Sequence, residues 1–135
     1  MKIAVVYGSK SDEEYLSSLF ETLITEKIDY DKFILSAHRN AKETMEFAKK
    51  AEKKGYNLII AAAGYAAHLP GFIASFSKLP VIGIPVPSSP FKGIDSLLSI
   101  IQMPGGVPVV STGIGKGAPK NAALFVKRII NIINK

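Results

Sequence analysis

The sequence predicts a doubly wound α/β fold, a five-stranded parallel sheet between two layers of helices. Short continuous apolar runs alternate with longer stretches of helical period, each run ends in small or polar residues, and no internal repeat or low-complexity tract interrupts the alternation. Continuous rather than alternating apolar runs are what strands buried on both faces of a parallel sheet require. Five such βα units, joined by right-handed crossovers, make a three-layer sandwich.

The expected strands are Ile3 to Tyr7, Phe33 to Leu35, Leu58 to Ala62, Val81 to Val86 and Val107 to Val110. Ser11-Asp12-Glu13-Glu14 reads as a capping box that opens a helix with Tyr15, Leu16, Leu19, Phe20, Leu23 and Ile24 on one face. Asn40-Ala41-Lys42-Glu43 repeats the device before Thr44 to Lys54, and Gly55 supplies the stop. A third helix follows Pro70 with Ile73, Ala74 and Phe76 inward, and a fourth runs from about Ile94 to Gln102. The last starts near Pro119, where proline in a first turn sacrifices no hydrogen bond, and continues through Ala122, Leu124, Phe125, Ile129, Ile132 and Ile133.

Composition narrows the functional classes. At 135 residues the chain supports one hydrophobic core and one domain. With 47% hydrophobic and 21% charged residues it lacks the composition of a disordered chain. Cysteine is absent, which excludes a disulfide framework, a thiolate metal site and a cysteine nucleophile, and suits a reducing cytoplasm. No segment approaches the ~20 apolar residues of a membrane span, so no membrane association is expected. The formal charge of +6 is compatible with nucleic acid or anionic metabolites. Its lysines, however, spread over helix faces rather than clustering with exposed aromatic residues, and no nucleic-acid partner is expected.

In such folds ligands bind beyond the carboxyl ends of the strands, so the residues there are the candidates. After the first strand, Gly8-Ser9-Lys10-Ser11-Asp12 reads either as a plain βα turn or as a cradle for phosphate or carboxylate, built from hydroxyls and helix-start N–H groups. It is neither a Walker A loop nor a dinucleotide fingerprint. After the second, Ser36-Ala37-His38-Arg39 places an arginine against the macrodipole of the helix it precedes, which suits a bound anion better than helix stability. After the third, Gly64-Tyr65-Ala66-Ala67-His68-Leu69 sets a histidine among small residues, either as a cap or as a proton-transfer group. With two histidines and no acidic cluster at ligand spacing, a transition-metal site is not expected.

Four segments occur in one order: Gly8 to Asp12, Ser36 to Arg39, Ala66-Ala67-His68-Leu69-Pro70-Gly71, and Asp95-Ser96-Leu97-Leu98-Ser99-Ile100-Ile101-Gln102-Met103-Pro104. Together they resemble the PurE family of purine biosynthesis, from Lys2 to about Phe125. The resemblance implies a flavodoxin-like sandwich spanning residues 1–135 as one domain, a homo-octamer, and neither cofactor nor metal. The implied reaction is that of a mutase, which moves the carboxylate of N5-carboxyaminoimidazole ribonucleotide from N5 to C4. A second family form instead carboxylates aminoimidazole ribonucleotide with CO2.

Family roles carried over by position make His68 the acid/base. Ser9, Ser11 and Arg39 would hold the 5′-phosphate, and Asp12 would accept from the ribose hydroxyls. Ser36, Ala37 and His38 would line the site near the base, while Gly64, Ala66, Ala67 and Leu69 would wall a small chamber for CO2. The chain departs from the pattern at Tyr65, where the family usually has glycine, and at Asn40-Ala41, where it has threonine-proline. Outside the resemblance, the competing readings are a non-catalytic binder of a phosphorylated metabolite and an RNA-binding module.

Overall fold

A computed structural model describes residues 1–135. Five parallel strands, β1 (Lys2–Tyr7), β2 (Asp29–Ile34), β3 (Leu58–Gly64), β4 (Val81–Val86) and β5 (Val110–Ser111), form one sheet in the order β2-β1-β3-β4-β5. Helices α1 (Ser17–Thr25), α2 (Ala41–Lys50), α3 (Leu69–Phe76), α4 (Ile94–Ile101) and α5 (Ala118–Ile133) cover both faces. This strand order is the flavodoxin-like one, in which chain direction across the sheet reverses between β1 and β3.

The period-two alternation of the strands divides the core in two. Ile3, Val5 and Tyr7 of β1, with Leu58, Ile60 and Ala62 of β3 and Ile82, Ile84 and Val86 of β4, pack against α1 and α5. Ala4, Val6, Ile59, Ala61 and Ala63 face the other way, against Phe47, Leu69, Ile73 and Ile100 of α2, α3 and α4. Because both faces are covered, the three central strands read as unbroken apolar runs.

The edge strands do not. β2 begins at Asp29, four residues before the expected start, because Asp29, Asp31 and Lys32 interrupt the apolar signal. Charges on an edge strand discourage pairing with other chains. Asp31 also accepts from the Tyr56 hydroxyl at 2.5 Å and from the Lys2 ammonium at 2.7 Å, tying the edge to β1. The strand expected over Val107 to Val110 is reduced to Val110–Ser111, since Pro108 has no N–H for a ladder.

The helix starts also differ from expectation. No capping box forms at Ser11: Ser9 is the cap of a one-turn 3-10 segment, Lys10–Glu13, and α1 begins only at Ser17. Asn40 makes no side-chain cap at α2, where the Ser36 hydroxyl accepts the Arg39 N–H at 3.1 Å instead. α2 ends at Lys50, followed by a 3-10 turn that Gly55 closes at φ 90°. Phe76, expected inward, and Ile24, expected on the apolar face of the first helix, are exposed, as are Phe125, Ile132 and Ile133 of α5.

Candidate active site

Residues from the ends of β1, β2, β3 and β4 meet in a cavity of about 400 Å³ at the β1/β3 switch point. The β1 end contributes Gly8, Ser9, Ser11 and Asp12; the β2 end contributes Ser36, Ala37, His38 and Arg39. The β3 end adds Ala63, Gly64, Tyr65, Ala66, His68 and Leu69, and the β4 end adds Ser88. Every residue given a site role from the sequence lines this cavity except Ala67, which is 1% exposed and packs into the core with Leu69 and Ile73 of α3. Ala63, four residues earlier and on β3, lies in the wall.

The β1 end forms a hydroxyl cradle. Ser9 Oγ and Ser11 Oγ lie 2.9 Å apart, and Ser9 Oγ accepts the Ser11 N–H at 3.3 Å. The cradle therefore rests on side chains and a single 3-10 turn rather than on the dipole of a long helix. Opposite it, Arg39 is exposed and forms no ion pair, so its guanidinium fork is available to an anion.

Asp12 sits at the cavity edge yet is 8% exposed. Burial pushes its carboxyl above the usual carboxylate range, and a backbone hydrogen bond from Ser9 pulls part of the way back. A buried carboxyl group that no cation pairs suits hydroxyl groups as partners.

The two histidines of the chain, 30 residues apart in sequence, meet here. His38 Nε2 and His68 Nδ1 are 2.9 Å apart, with the rings near perpendicular at 77°. One imidazole donates and the other accepts, so the tautomers of the two rings are linked. Although His68 occupies the N-cap position of α3, its side chain makes no capping bond. Its Nε2 has no protein partner and stays available to a ligand.

Ala63 and Ser88 were not legible as site residues, and Tyr65 stood out only as a departure from the family pattern. Gly64 admits the β4 end: a Cβ there would lie 2.1 Å from Ser88 Oγ and would displace that hydroxyl from its place at the cavity. The signal for Ser88 was its position just after a strand, hidden within the proline-rich Pro85 to Pro90 stretch. Tyr65 lies in the left-handed region at φ 55°, a conformation that costs a bulky residue about 1–3 kcal/mol. The hydroxyl of the fully buried Ser96 holds that conformation, donating to the Tyr65 carbonyl oxygen at 2.9 Å.

The family model for AIR carboxylase matches residues 2–135. The chain belongs to the AIR carboxylase family. Among its curated relatives is an N5-carboxyaminoimidazole ribonucleotide mutase from Saccharolobus solfataricus, 55% identical over 97% of this chain and 82% of the relative. A protein of the same name from Bacillus subtilis is 44% identical over 98% of this chain and 82% of its own. A crystal structure of Treponema denticola PurE matches with a TM-score of 0.85 at 32% identity, over 97% of this chain and 80% of that one. A 3-dehydroquinate dehydratase-like protein from Bifidobacterium longum, at 15% identity and a TM-score of 0.58, shares the fold alone.

Proposed function

We propose that this member of the AIR carboxylase family is an N5-carboxyaminoimidazole ribonucleotide mutase of purine biosynthesis, acting as an isomerase in the cytoplasm. The observation that carries the reading is one cavity that joins an anion cradle to a hydrogen-bonded imidazole pair. Relatives named for this activity are 44–55% identical over nearly the whole chain, which supports the same reading. A non-catalytic phosphate binder would need the cradle and Arg39 but no linked pair of proton-transfer groups.

In this reading Ser9, Ser11 and Arg39 bind the 5′-phosphate and Asp12 accepts from the ribose hydroxyls. That leaves the imidazole ring of the substrate beside Ser36, Ala37 and the His38–His68 pair. Cleaving the carbamate turns N5 into a leaving group, which requires a proton at nitrogen. Carboxylation at C4 later releases the C4 proton. His68, through Nε2, delivers the first and collects the second; His38, bonded to its Nδ1, fixes the ring and takes up the tautomer change. Acid/base help of this kind is worth about 10²–10⁴-fold. Ala63, Gly64, Ala66 and Leu69 wall the chamber in which the detached carboxyl group waits.

The assembly proposed is a homo-octamer. An exposed apolar stripe, Ile94, Leu98 and Ile101 on α4, continues from Phe91, itself 69% exposed. Residues spaced three and four apart on one helix face make a contact surface that a monomer leaves wet.

The test is a pair of reactions followed for C4-carboxylated product: N5-carboxyaminoimidazole ribonucleotide alone, and aminoimidazole ribonucleotide with bicarbonate. Rapid turnover of the first with slow turnover of the second supports the mutase. The reverse order assigns the direct carboxylation instead.

A further inference from the structure

The hydroxyl cradle occupies a loop that one side-chain hydrogen bond closes. Tyr7, the last residue of β1, donates its hydroxyl to Glu13 Oε1 at 2.6 Å, and the residues between them include Ser9, Ser11 and Asp12. The ring of Tyr7 is fixed: it is 1% exposed, belongs to the core against α1 and α5, and meets Phe20 edge-on at 6.1 Å. Core packing accounts for the ring but not for the hydroxyl, since phenylalanine would fill the same space with no polar group to satisfy. The partner of that hydroxyl lies on the cradle turn, not in the core.

The rest of the turn is thinly held. Its inner bonds run from the Asp12 N–H to the Ser9 carbonyl at 3.0 Å and from the Ser11 N–H to Ser9 Oγ at 3.3 Å, and no atom lies within 4 Å of where a Gly8 Cβ would stand. A single 3-10 turn also has poorer hydrogen-bond geometry than an α-helix. The Tyr7–Glu13 bond ties the far end of this turn back to the strand it leaves. The same bond decides where a charge goes: Glu13 follows Asp12 directly yet does not line the cavity, its carboxylate being turned to Tyr7. A carboxylate freed beside the cradle would repel a phosphate. Burial first, and the Glu13 carboxylate after it, push the Tyr7 phenol above its ordinary range, so it remains a donor. We infer that Tyr7, acting through Glu13, is a positioning residue for nucleotide binding: their bond holds Ser9, Ser11 and Asp12 in the arrangement that receives the 5′-phosphate and the ribose. The inference rests on the proposed reading of the cradle as the phosphate site.

The experiment measures calorimetric affinity for ribose 5-phosphate, and KM and kcat for N5-carboxyaminoimidazole ribonucleotide, at a temperature where melts show every protein to be folded. The wild type is compared with Tyr7→Phe, Glu13→Gln, Glu13→Ala and the double variant Tyr7→Phe/Glu13→Ala. Tyr7→Phe and Glu13→Ala are expected to weaken ribose 5-phosphate binding and to raise KM several-fold with kcat little changed, the pattern of lost uniform binding. Glu13→Gln keeps an acceptor for the Tyr7 hydroxyl and is expected to bind as the wild type does. The double variant is expected to lose no more than either single change, as partners in one bond do. A Tyr7→Phe protein that melts lower but binds ribose 5-phosphate as tightly as the wild type would overturn the inference. So would a Glu13→Gln protein that loses as much as Glu13→Ala, or losses that add in the double variant. If the wild type itself does not bind ribose 5-phosphate, the cradle reading fails and the inference with it. Wild-type conversion of N5-carboxyaminoimidazole ribonucleotide decides the mutase reading separately, because ribose 5-phosphate meets the cradle whatever reaction follows.

Discussion

Asp12 sets stability against its proposed role in binding the ribose hydroxyls. Its pKa is raised mainly by burial, so the folded chain holds the proton more tightly than the unfolded chain. Between the ordinary carboxylate range and the raised value, stability falls as pH rises; above both, the ionised carboxylate is a standing cost. Asp12→Asn is therefore expected to melt higher than the wild type at neutral pH and to lose that advantage in acid. The same change should weaken nucleotide binding about tenfold or more, since hydrogen bonds to a charged group are worth about 1.5–3 kcal/mol. Thermal melts across pH, set beside calorimetric binding, check both signs. The cradle, Arg39 and both histidines were readable because each follows an apolar run at a strand end. The His38–His68 bond was not, since it joins two loops through a fold that periodicity cannot place to 2.9 Å. Nor was the inward turn of Ala67, because alternation fails in the loop where the strand ends.

At the scale of elements, packing over the sheet leaves little tolerance where α3 and α4 cross β4. A Cβ on Gly83 would stand 2.4 Å from Ile100 Cγ2 and 3.3 Å from Pro70 Cβ. Gly83→Ala is expected to destabilise by about 1–3 kcal/mol, as overpacking of a filled core does. A denaturant midpoint lowered at constant slope would report it. The central strands were legible to within a residue or two because both of their faces are buried and their runs are unbroken. β2 and β5 were misjudged for physical reasons, charge on one edge and Pro108 on the other. The Ser11 capping box failed because Ser9 and Ser11 bond to one another, so local chemistry that favours a cap was used for the site.

At the scale of the molecule, helical period alone does not say which apolar faces meet a sheet. Phe125, Ile132 and Ile133 on α5 and Leu98 on α4 fit an amphipathic pattern, yet they stay exposed in the single chain. In the proposed homo-octamer such faces would be covered by assembly. Leu98→Glu is expected to shift the protein to smaller species by light scattering, while the circular dichroism spectrum stays that of the folded α/β chain. Unchanged mass would place the subunit contact elsewhere. The net charge of +6 finds little use in the site, where Arg39 is the lining residue with a positive charge. Most of it is solvated helix surface, including Lys49 and Lys50 in the last turn of α2, where cations favour the dipole. The proposed function thus rests on one cavity at the β1/β3 switch point and on the imidazole pair within it. The most direct measurement is the rate at which His68→Asn converts N5-carboxyaminoimidazole ribonucleotide, taken with its affinity for the nucleotide. The account predicts near-normal binding with turnover reduced by about 10²-fold or more; a folded variant that turns over at close to the wild-type rate would contradict it.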